Sequence, residues 1–344
     1  MTGVRVIALL STCIPFTGMA YPQASHSCAS CHPAQAKTQP ATGMAHALEL
    51  VETSEILKTH PLLVFQEAAF HFQIKRQGDI SIYTVTDGKR IFRAPLRWAF
   101  GLGSAGQTYV YEINGHLFES RVSFYSSPGG LDFTMGDEKI KPQNVEEAAG
   151  RPMFDREARQ CFGCHSTAPA ARDTLQLDSI IPGLQCVRCH SDSERHALAL
   201  SSGDLKGAEV RKLTRMSTEQ TSDFCGQCHR TWQQVSLSGT LGVNNVRFQP
   251  YRLTNSKCYD AADRRIGCVA CHDPHQEVVH RDSWYDAKCT ACHAAAAHPA
   301  AQVCKVAKKD CVTCHMPRIN LPGAHKRFTD HQIRIVRNSD PYPN

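Results

Sequence analysis

The sequence predicts an α+β protein with two kinds of segment: a small antiparallel β domain, and a longer region of short helices and loops that is poor in regular secondary structure. Three observations lead to this prediction. A five-residue motif of two cysteines and a histidine recurs at short intervals in the C-terminal half. Strand-like alternation is confined to the part before it. Only 8% of the 344 residues are aromatic, so we expect that side-chain packing alone would form only a small hydrophobic core.

The first 20 residues predict a signal peptide. Arg5 precedes an apolar run from Val6 to Phe16, and Gly18-Met19-Ala20 supplies small residues at the cleavage position. We expect residues 1–20, with Cys13, to be removed on export; an uncleaved anchor is the alternative. No transmembrane segment is expected in the mature chain. The remaining 16 cysteines would then lie in an oxidising compartment, the periplasm or the cell surface.

The motif is Cys-x-x-Cys-His, and its seven copies, numbered here motif 1 to motif 7, take up 14 of those 16 cysteines. This is the attachment sequence of c-type haem, in which both thiols bond to the porphyrin and the histidine becomes the proximal ligand of the iron. We therefore expect seven covalent haems c. The thiols are Cys28, Cys31, Cys161, Cys164, Cys186, Cys189, Cys225, Cys228, Cys268, Cys271, Cys289, Cys292, Cys311 and Cys314. The proximal ligands are His32, His165, His190, His229, His272, His293 and His315.

Three other uses of paired cysteines fit less well. A zinc site does not require a histidine at the fifth place every time. A thioredoxin-like redox pair would occur once and would follow a strand. Disulfides would not restrict 14 cysteines to one fixed offset.

The spacing of the motifs predicts the fold. Motif 1 starts 133 residues before motif 2, and later motifs start 25, 39, 43, 21 and 22 residues apart. Segments this short cannot bury a core of their own, so we expect a multihaem cytochrome c fold in which short helices and loops pack around the haems. We expect two of the motifs to lie at the C-terminal ends of helices. Ser217 and Gln220 have capping-box spacing ahead of motif 4, and residues 155–159 lead into motif 2.

The gap between motifs 1 and 2 predicts the β domain. Strand-like segments occupy residues 69–75, 80–85, 90–93, 108–111 and 117–122. Asp87-Gly88 and Asn114-Gly115 are dipeptides that favour two-residue hairpin turns. We expect about five antiparallel strands. The predicted organisation is a first haem-binding segment over 21–59, the β insert over 60–145 and a six-haem domain over 146–344.

Eleven histidines lie outside the motifs, enough to give every iron a second axial ligand. Iron with two histidines has no open position and passes electrons without readily binding a substrate. The distal candidates are His46, His60, His196, His275, His298, His325 and His331; weaker ones are His26, His71, His116 and His280. Met44 is an alternative to His46 and would raise the potential of that haem.

The net charge of +6 does not predict binding to nucleic acid. Each ferric haem with its two propionates carries about one negative charge, so seven haems would offset the protein charge. The basic residues are also not interleaved with aromatic ones along a stripe. Cys258 and Cys304 stand outside the motifs, as either a disulfide or two free thiols.

The C-terminal half resembles the exported multihaem cytochromes of the cytochrome c-552/c-554-like group. The resemblance rests on residues 247–252 (RFQPYR), 268–275 (CVACHDPH), 311–317 (CVTCHMP) and 328–331 (FTDH), and it extends over about residues 150–340 together with motif 1. It implies close-packed, mostly bis-histidine haems that pass electrons in the periplasm or at the cell surface. The β insert is not part of the group's general pattern.

An electron carrier is therefore the leading hypothesis. The alternatives are a multihaem oxidoreductase acting on nitrite, hydroxylamine or a sulfur oxyanion at one open-site haem, and a subunit of a haem filament or outer-membrane conduit. Lysine-ligated Cys-x-x-Cys-Lys motifs, found in one class of nitrite reductase, are absent. Expected partners are other cytochromes or a membrane quinol oxidase or reductase, with a homo-oligomer or filament as a further option.

Overall fold

The structure, a computed structural model, describes residues 28–167, 175–294, 303–337 and 340–343. The predicted signal peptide, His26 and the distal candidate His298 lie outside these residues. Within them, helices account for 36% and strands for 24%, which are ordinary values for a globular protein.

Nine strands form one antiparallel sheet. Hydrogen bonding follows the order β2 to β8, while β1 pairs with β5 and β9 pairs with β7. The strands are β1 (Leu48–Leu50), β2 (Leu62–Glu67), β3 (Phe70–Gln77), β4 (Ile80–Thr86), β5 (Ile91–Gly103), β6 (Gly106–Ile113), β7 (His116–Tyr125), β8 (Gly130–Phe133) and β9 (Gly150–Pro152).

Alternation and turn chemistry explain the middle of this sheet. In β4, Ser81, Tyr83 and Val85 point inward and are buried, while the residues between them are more exposed. The predicted dipeptide Asn114-Gly115 joins β6 to β7 with φ of 51° and 81°, the two left-handed positions that a type I′ turn requires. The five strand-like segments found in the sequence overlap strands β3 to β7 in order, with residues 69 and 90 lying just before β3 and β5.

The sheet curls until it is nearly closed into a barrel. Two register shifts interrupt the pairing of the long strand β5 with β6, and such irregularities bend a strand and increase its twist. As a result β2 and β8, at opposite ends of the strand order, meet through the rings of Phe65 and Phe133, whose centres are 5.2 Å apart. The enclosed core contains Phe72, Ile74, Tyr83, Val85, Tyr109, Tyr111, Val122 and Phe124.

The predicted fold class is therefore wrong. The principal architecture is a large antiparallel sheet nearly closed into a barrel, and not haem-packed short helices and loops with a small β insert. The sequence prediction counted only strands with clear alternation. It missed β2 and β8, whose ends close the curve, and the three-residue strands β1 and β9, which come from the segments on either side. The division at residues 59/60 and 145/146 stays a prediction.

Short helices and a two-stranded ribbon, β10 (Arg318–Leu321) with β11 (Lys326–Thr329), make up much of the rest. The helices are α1 (Cys28–Cys31), α2 (Pro33–Thr38), α3 (Glu55–Thr59), α4 (Val145–Ala149), α5 (Asp155–His165), α6 (Cys186–Cys189), α7 (Ser193–Ser201), α8 (Thr218–His229), α9 (Trp232–Ser238), α10 (Gln249–Thr254), α11 (Cys268–Cys271), α12 (Asp286–His293) and α13 (Cys311–His315). Turns of 3-10 helix occupy Gln39–Ala41, Asp137–Lys139, Leu177–Ser179, Leu213–Arg215, Gly242–Asn245, Arg264–Ile266 and Asp282–Tyr285.

The sheet carries the first of the C-terminal helices directly. Phe162 of α5 is buried against Trp98 and Phe100 of β5, with ring centres 5.3 and 4.9 Å apart and near-perpendicular planes. Edge-to-face packing of this kind is favourable for aromatic rings and fixes the orientation of the helix. Motif 2, at the end of α5, is thus held on the rigid sheet.

Candidate haem-binding sites

Each motif places its two cysteines in a single helical turn. Helices α1, α6 and α11 span the motif from its first cysteine to its second, and α13 spans motif 7 as far as its histidine. Motifs 2, 4 and 6 instead lie at the ends of α5, α8 and α12. Residues three apart on a helix face the same side, so both thiols can reach one porphyrin edge. The motif geometry thus fits covalent attachment of a haem.

The two predicted helices that lead into motifs are present. Helix α8 starts with the capping box: Ser217 Oγ accepts a bond from the Gln220 backbone, and the Gln220 side chain accepts one from the Ser217 N–H. Inside motif 4, Gly226 lies so close to Thr231 that a side chain there would collide with it. Close packing onto the start of α9 therefore fixes the end of α8.

Two motif histidines are oriented by backbone carbonyls. His165 Nδ1 donates to the Ala47 carbonyl oxygen over 2.8 Å, and His315 Nδ1 donates to that of Arg334 over 2.9 Å. With Nδ1 holding the proton, Nε2 is the nitrogen left for iron, an arrangement typical of metal-ligating histidines.

Burial keeps several of these imidazoles neutral, which is the form that binds a metal. Desolvation lowers the pKa of His165, His229 and His272 below the usual value, and it lowers the pKa of His331 to about 4. A neutral ring can bind iron without first losing a proton.

Three distal candidates each lie opposite a motif histidine. The ring centres of His32 and His196 are 6.3 Å apart, those of His190 and His275 are 6.1 Å apart with parallel planes, and those of His272 and His331 are 6.3 Å apart. Two metal–nitrogen bonds of about 2 Å, plus the distance from each nitrogen to its ring centre, add up to roughly 6 Å. Each pair could therefore bind one iron from both sides.

Nδ1 of each distal member of these pairs also has a partner of its own. His196 Nδ1 donates to the Ala208 carbonyl, His331 Nδ1 donates to Thr329 O over 3.0 Å, and His275 Nδ1 lies 3.2 Å from Asp273 Oδ1. These contacts leave Nε2 for the iron. His275 faces the histidine of motif 3 rather than that of motif 5, which it follows closely in sequence.

Other distal candidates have different surroundings. His46 is half exposed beside Glu49, with 3.1 Å between Nδ1 and the carboxylate, and His60 lies on the ring of Phe124. His325 contacts Asp132 through Nε2 at 2.8 Å and packs on Tyr125. Among the described residues, none of these three has a ring contact with a motif histidine. The weaker candidates His71, His116 and His280 are exposed.

The motifs adjoin one another in a continuous series. The thiols of Cys28 and Cys186 interact, as do those of Cys164 with Cys228 and Cys225 with Cys268. These contacts join motif 1 to motif 3, motif 2 to motif 4 and motif 4 to motif 5.

Three further contacts complete the series. Arg188 of motif 3 donates to Gly163 O of motif 2 over 3.0 Å. Tyr285, next to α12, packs on His272 of motif 5 with ring centres 5.5 Å apart. The Asp286 carboxylate at the start of α12 accepts from the backbone N–H of Cys311 over 2.9 Å. These contacts link the motifs in the order 1, 3, 2, 4, 5, 6, 7, and the His190–His275 contact adds a direct link between motif 3 and the residues just after motif 5.

Cys258 and Cys304, the two described cysteines outside the motifs, are not joined by a disulfide, and the described residues contain no disulfide between motif cysteines. Cys258 is partly buried, and burial raises its pKa, whereas Cys304 is exposed. Among the described residues, no group of three or more His, Cys, Asp or Glu side chains is arranged to hold a metal ion.

Sequence reasoning missed a buried ion pair next to one distal candidate. Arg252 of α10 and Asp330, the residue before His331, are both fully buried and bonded to each other. In the sequence these positions are part of RFQPYR and FTDH, but they lie too far apart in the chain for their contact to be predicted.

Comparison with known proteins finds a family similarity over the part of the chain that holds two motifs. Residues 134–191, which include motifs 2 and 3, match the family described as cytochrome c554 and c-prime. This match supports the interpretation of the chain as an exported c-type cytochrome, which carries c-type haem and transfers electrons. No curated protein and no solved structure matches the chain. In the described residues, none of the helices has the length and apolar character needed to span a membrane.

Proposed function

We propose that this protein is an electron carrier of the periplasm or cell surface, with seven covalently attached haems c, most of them ligated by two histidines. The observation that carries the proposal is the set of three imidazole pairs with ring centres 6.1 to 6.3 Å apart. Each pair joins a motif histidine to a histidine remote from it in the sequence. Neutral imidazoles packed side by side without a metal would gain little from such a spacing, whereas an iron between them requires it.

The chain's own residues would hold and tune the cofactor. In each motif the two cysteine sulfurs would anchor a porphyrin through thioether bonds, and the histidine Nε2 would ligate the iron. When bound, haem supplies a reversible one-electron change between ferric and ferrous iron. The protein sets the potential through ligand type, burial and nearby charge. At His190 and His275 the parallel rings would fix the orientation of both ligands.

The motif series supports a conducting role. Every motif adjoins the next in the order 1, 3, 2, 4, 5, 6, 7, and motif 3 also adjoins motif 5 through His275, so the haems would form one connected series with an end at motif 1 and another at motif 7. Cys28, Cys31 and Cys314, at these two ends, are exposed. We propose that redox partners, such as other cytochromes or a membrane quinol oxidase or reductase, exchange electrons at these ends.

A haem count combined with spectroscopy tests the proposal. Protein matured in a host with the c-type haem attachment machinery should contain seven haems by pyridine haemochrome assay and by mass. Its ferric electron paramagnetic resonance (EPR) spectrum should be dominated by low-spin signals. One or two haems per chain would refute the seven-haem carrier. A full count with a high-spin signal and carbon monoxide binding would instead favour the open-site oxidoreductase.

A further inference from the structure

The chain after the β10–β11 ribbon contacts two of the candidate haem sites. His331 lies opposite His272 of motif 5, with ring centres 6.3 Å apart. Three residues later, the Arg334 carbonyl accepts the Nδ1–H of His315 in motif 7, and the Arg334 N–H donates back to His315 O over 3.2 Å. One short segment, residues 330–334, therefore contacts an axial histidine of haem 5 and the proximal histidine of haem 7.

Asp330 lies at the base of this segment and makes several bonds at once. Its two carboxylate oxygens accept a bidentate pair from Arg252, at 2.8 Å from Nε and 2.9 Å from Nη2. Arg334 Nη1 donates to Oδ2 over 2.5 Å, and the Gln332 N–H donates to Oδ1 over 3.0 Å. Through these bonds Asp330, which precedes His331, holds Gln332 and Arg334, which follow it. The carbonyl of Arg334 is the group that orients His315.

Arg252 is itself fixed on its remaining sides. Its Nη1 donates to Pro343 O over 2.9 Å and to Asn245 Oδ1 over 3.3 Å, and its guanidinium lies 4.6 Å from the ring centre of Tyr342. The Tyr342 hydroxyl in turn bonds Asn245. The guanidinium is therefore held by α10, the preceding loop and the C-terminal residues together.

Stability alone is a poor reason for such a pair. Arg252 and Asp330 have no exposed side-chain surface, and removing two charges from water costs as much as, or more than, their attraction returns. An apolar pair of similar volume would pack as well. What a bidentate pair supplies is fixed direction, because the planar guanidinium bonds both carboxylate oxygens in one geometry.

We infer that Arg252 and Asp330 are positioning residues that set the axial histidine geometry of haems 5 and 7 together. The inference rests on the proposed haem ligation at His331 and His315. Ser256 adds to the same support, since its hydroxyl donates to His331 O over 3.2 Å and accepts from the Ile333 N–H over 2.8 Å. Haems 1 and 3 do not depend on this network, because His196 and His275 have their own partners at Ala208 and Asp273.

The test compares Arg252→Lys and Asp330→Asn with the wild-type holoprotein by EPR and by redox titration. Lysine keeps the charge but cannot form the bidentate bond, and asparagine keeps the shape without the charge. Reference variants identify the signals: His331→Ala for haem 5, and Cys311→Ala with Cys314→Ala for haem 7. We expect both test variants to retain seven haems and to shift the signals and potentials of these two haems only.

Two further variants keep the test decisive. Arg334→Gln removes the hydrogen bond from Arg334 to Asp330 and should shift the haem 7 signal. It still tests the inference if Asp330→Asn fails to mature. Arg265→Gln removes the ion pair with Asp263 just ahead of motif 5, outside the Arg252–Asp330 network, and should leave the EPR signals of haems 5 and 7 unchanged.

Unchanged haem 5 and haem 7 signals in Arg252→Lys and Arg334→Gln would overturn the inference, and so would equal shifts in all seven haems. Failure of the proposed function would look different, because the wild-type protein would then lack seven haems or bis-histidine signals before any substitution.

Discussion

Asp137 is a buried carboxyl group in the 3-10 turn after β8, and it makes the stability of the fold depend on pH. Burial raises its pKa to about 6; Glu119 and Glu138 add to the rise, and Arg151 and Arg121 oppose it. The folded state therefore holds this proton more tightly than the unfolded state, whose pKa is near 3.8. Stability must then fall as the pH rises from about 4 to 6 and stay reduced above it.

We predict that Asp137→Asn removes this dependence. The variant should match the wild type near pH 3 and exceed its free energy of unfolding by about 1 kcal/mol at pH 4.5 and about 2–3 kcal/mol at pH 7. Urea unfolding across this range measures the difference. Glu146→Gln, at an exposed position of α4, should give a small and nearly constant difference. An Asp137→Asn difference that stays constant with pH would show that the carboxyl group does not titrate in this window.

His275 provides the second prediction at residue scale. If His275 and His190 bind one iron, His275→Ala should leave all seven haems attached and convert one of them to a high-spin form that binds carbon monoxide. His280→Ala, at an exposed histidine in the same loop, is the matched control and should leave the spectra unchanged. Retention of every low-spin signal in His275→Ala would contradict this pairing.

The contact between residues 44–47 and 182–184 shows how elements fix a motif. Gly183 has φ of 69°, and a side chain there would strike the Ala45 carbonyl. The adjoining Leu184 N–H donates to Met44 O, close to the Ala47 carbonyl that orients His165. We predict that Gly183→Ala lowers the free energy of unfolding by about 2–4 kcal/mol, through backbone strain and collision, and disturbs haem 2.

Gly203→Ala separates these two causes. Gly203 has a similar φ of 76°, but its missing side chain would meet nothing within 4 Å. This variant should lose only about 1 kcal/mol, from strain alone. Chemical unfolding followed by circular dichroism compares the two. Equal losses would mean that the close approach to Ala45 contributes nothing.

At the scale of elements, local signals predicted some strands and could not predict others. Asn114-Gly115 announces the β6–β7 hairpin because its turn needs two left-handed residues. Strands β1 and β9 have three residues each, too few for alternation to be visible, and β2 turns into β3 through Ala68 at φ of 51°, where no glycine marks the turn. Closure of the sheet depends on bulges in β5 that leave no trace in hydrophobic pattern.

The candidate site divides in the same way. Each Cys-x-x-Cys-His motif is read from five consecutive residues, so its position needs no knowledge of the fold. The partner of each motif histidine, by contrast, could not be predicted from the sequence. His32 faces His196, which is far away in the chain, and any of eleven histidines outside the motifs was a candidate for that position. The Arg252–Asp330 contact likewise depends on the packing of α10 against the end of the chain.

At the scale of the whole molecule, the order of the motifs differs from their order in the chain. Motif 2 lies between motifs 3 and 4, and motif 5 contacts motif 4 and, through His275, motif 3. Loss of haem 5 should therefore separate haems 1, 3, 2 and 4 from haems 6 and 7. Loss of haem 1 should only shorten one end.

Light-driven electron injection distinguishes these outcomes. A thiol-reactive ruthenium photosensitiser attached to the exposed Cys304, shortly before motif 7, would deliver an electron to that end of the series. The further the electron moves away, the longer the charge-separated state lasts. We predict a markedly shorter lifetime when Cys268→Ala with Cys271→Ala removes haem 5, and a lifetime close to wild type when Cys28→Ala with Cys31→Ala removes haem 1. Each variant must retain six haems by mass. Equal lifetimes in the two variants would contradict the place of motif 5 between haems 1 to 4 and haems 6 and 7, because removing an internal haem would then interrupt the path no more than removing a terminal one.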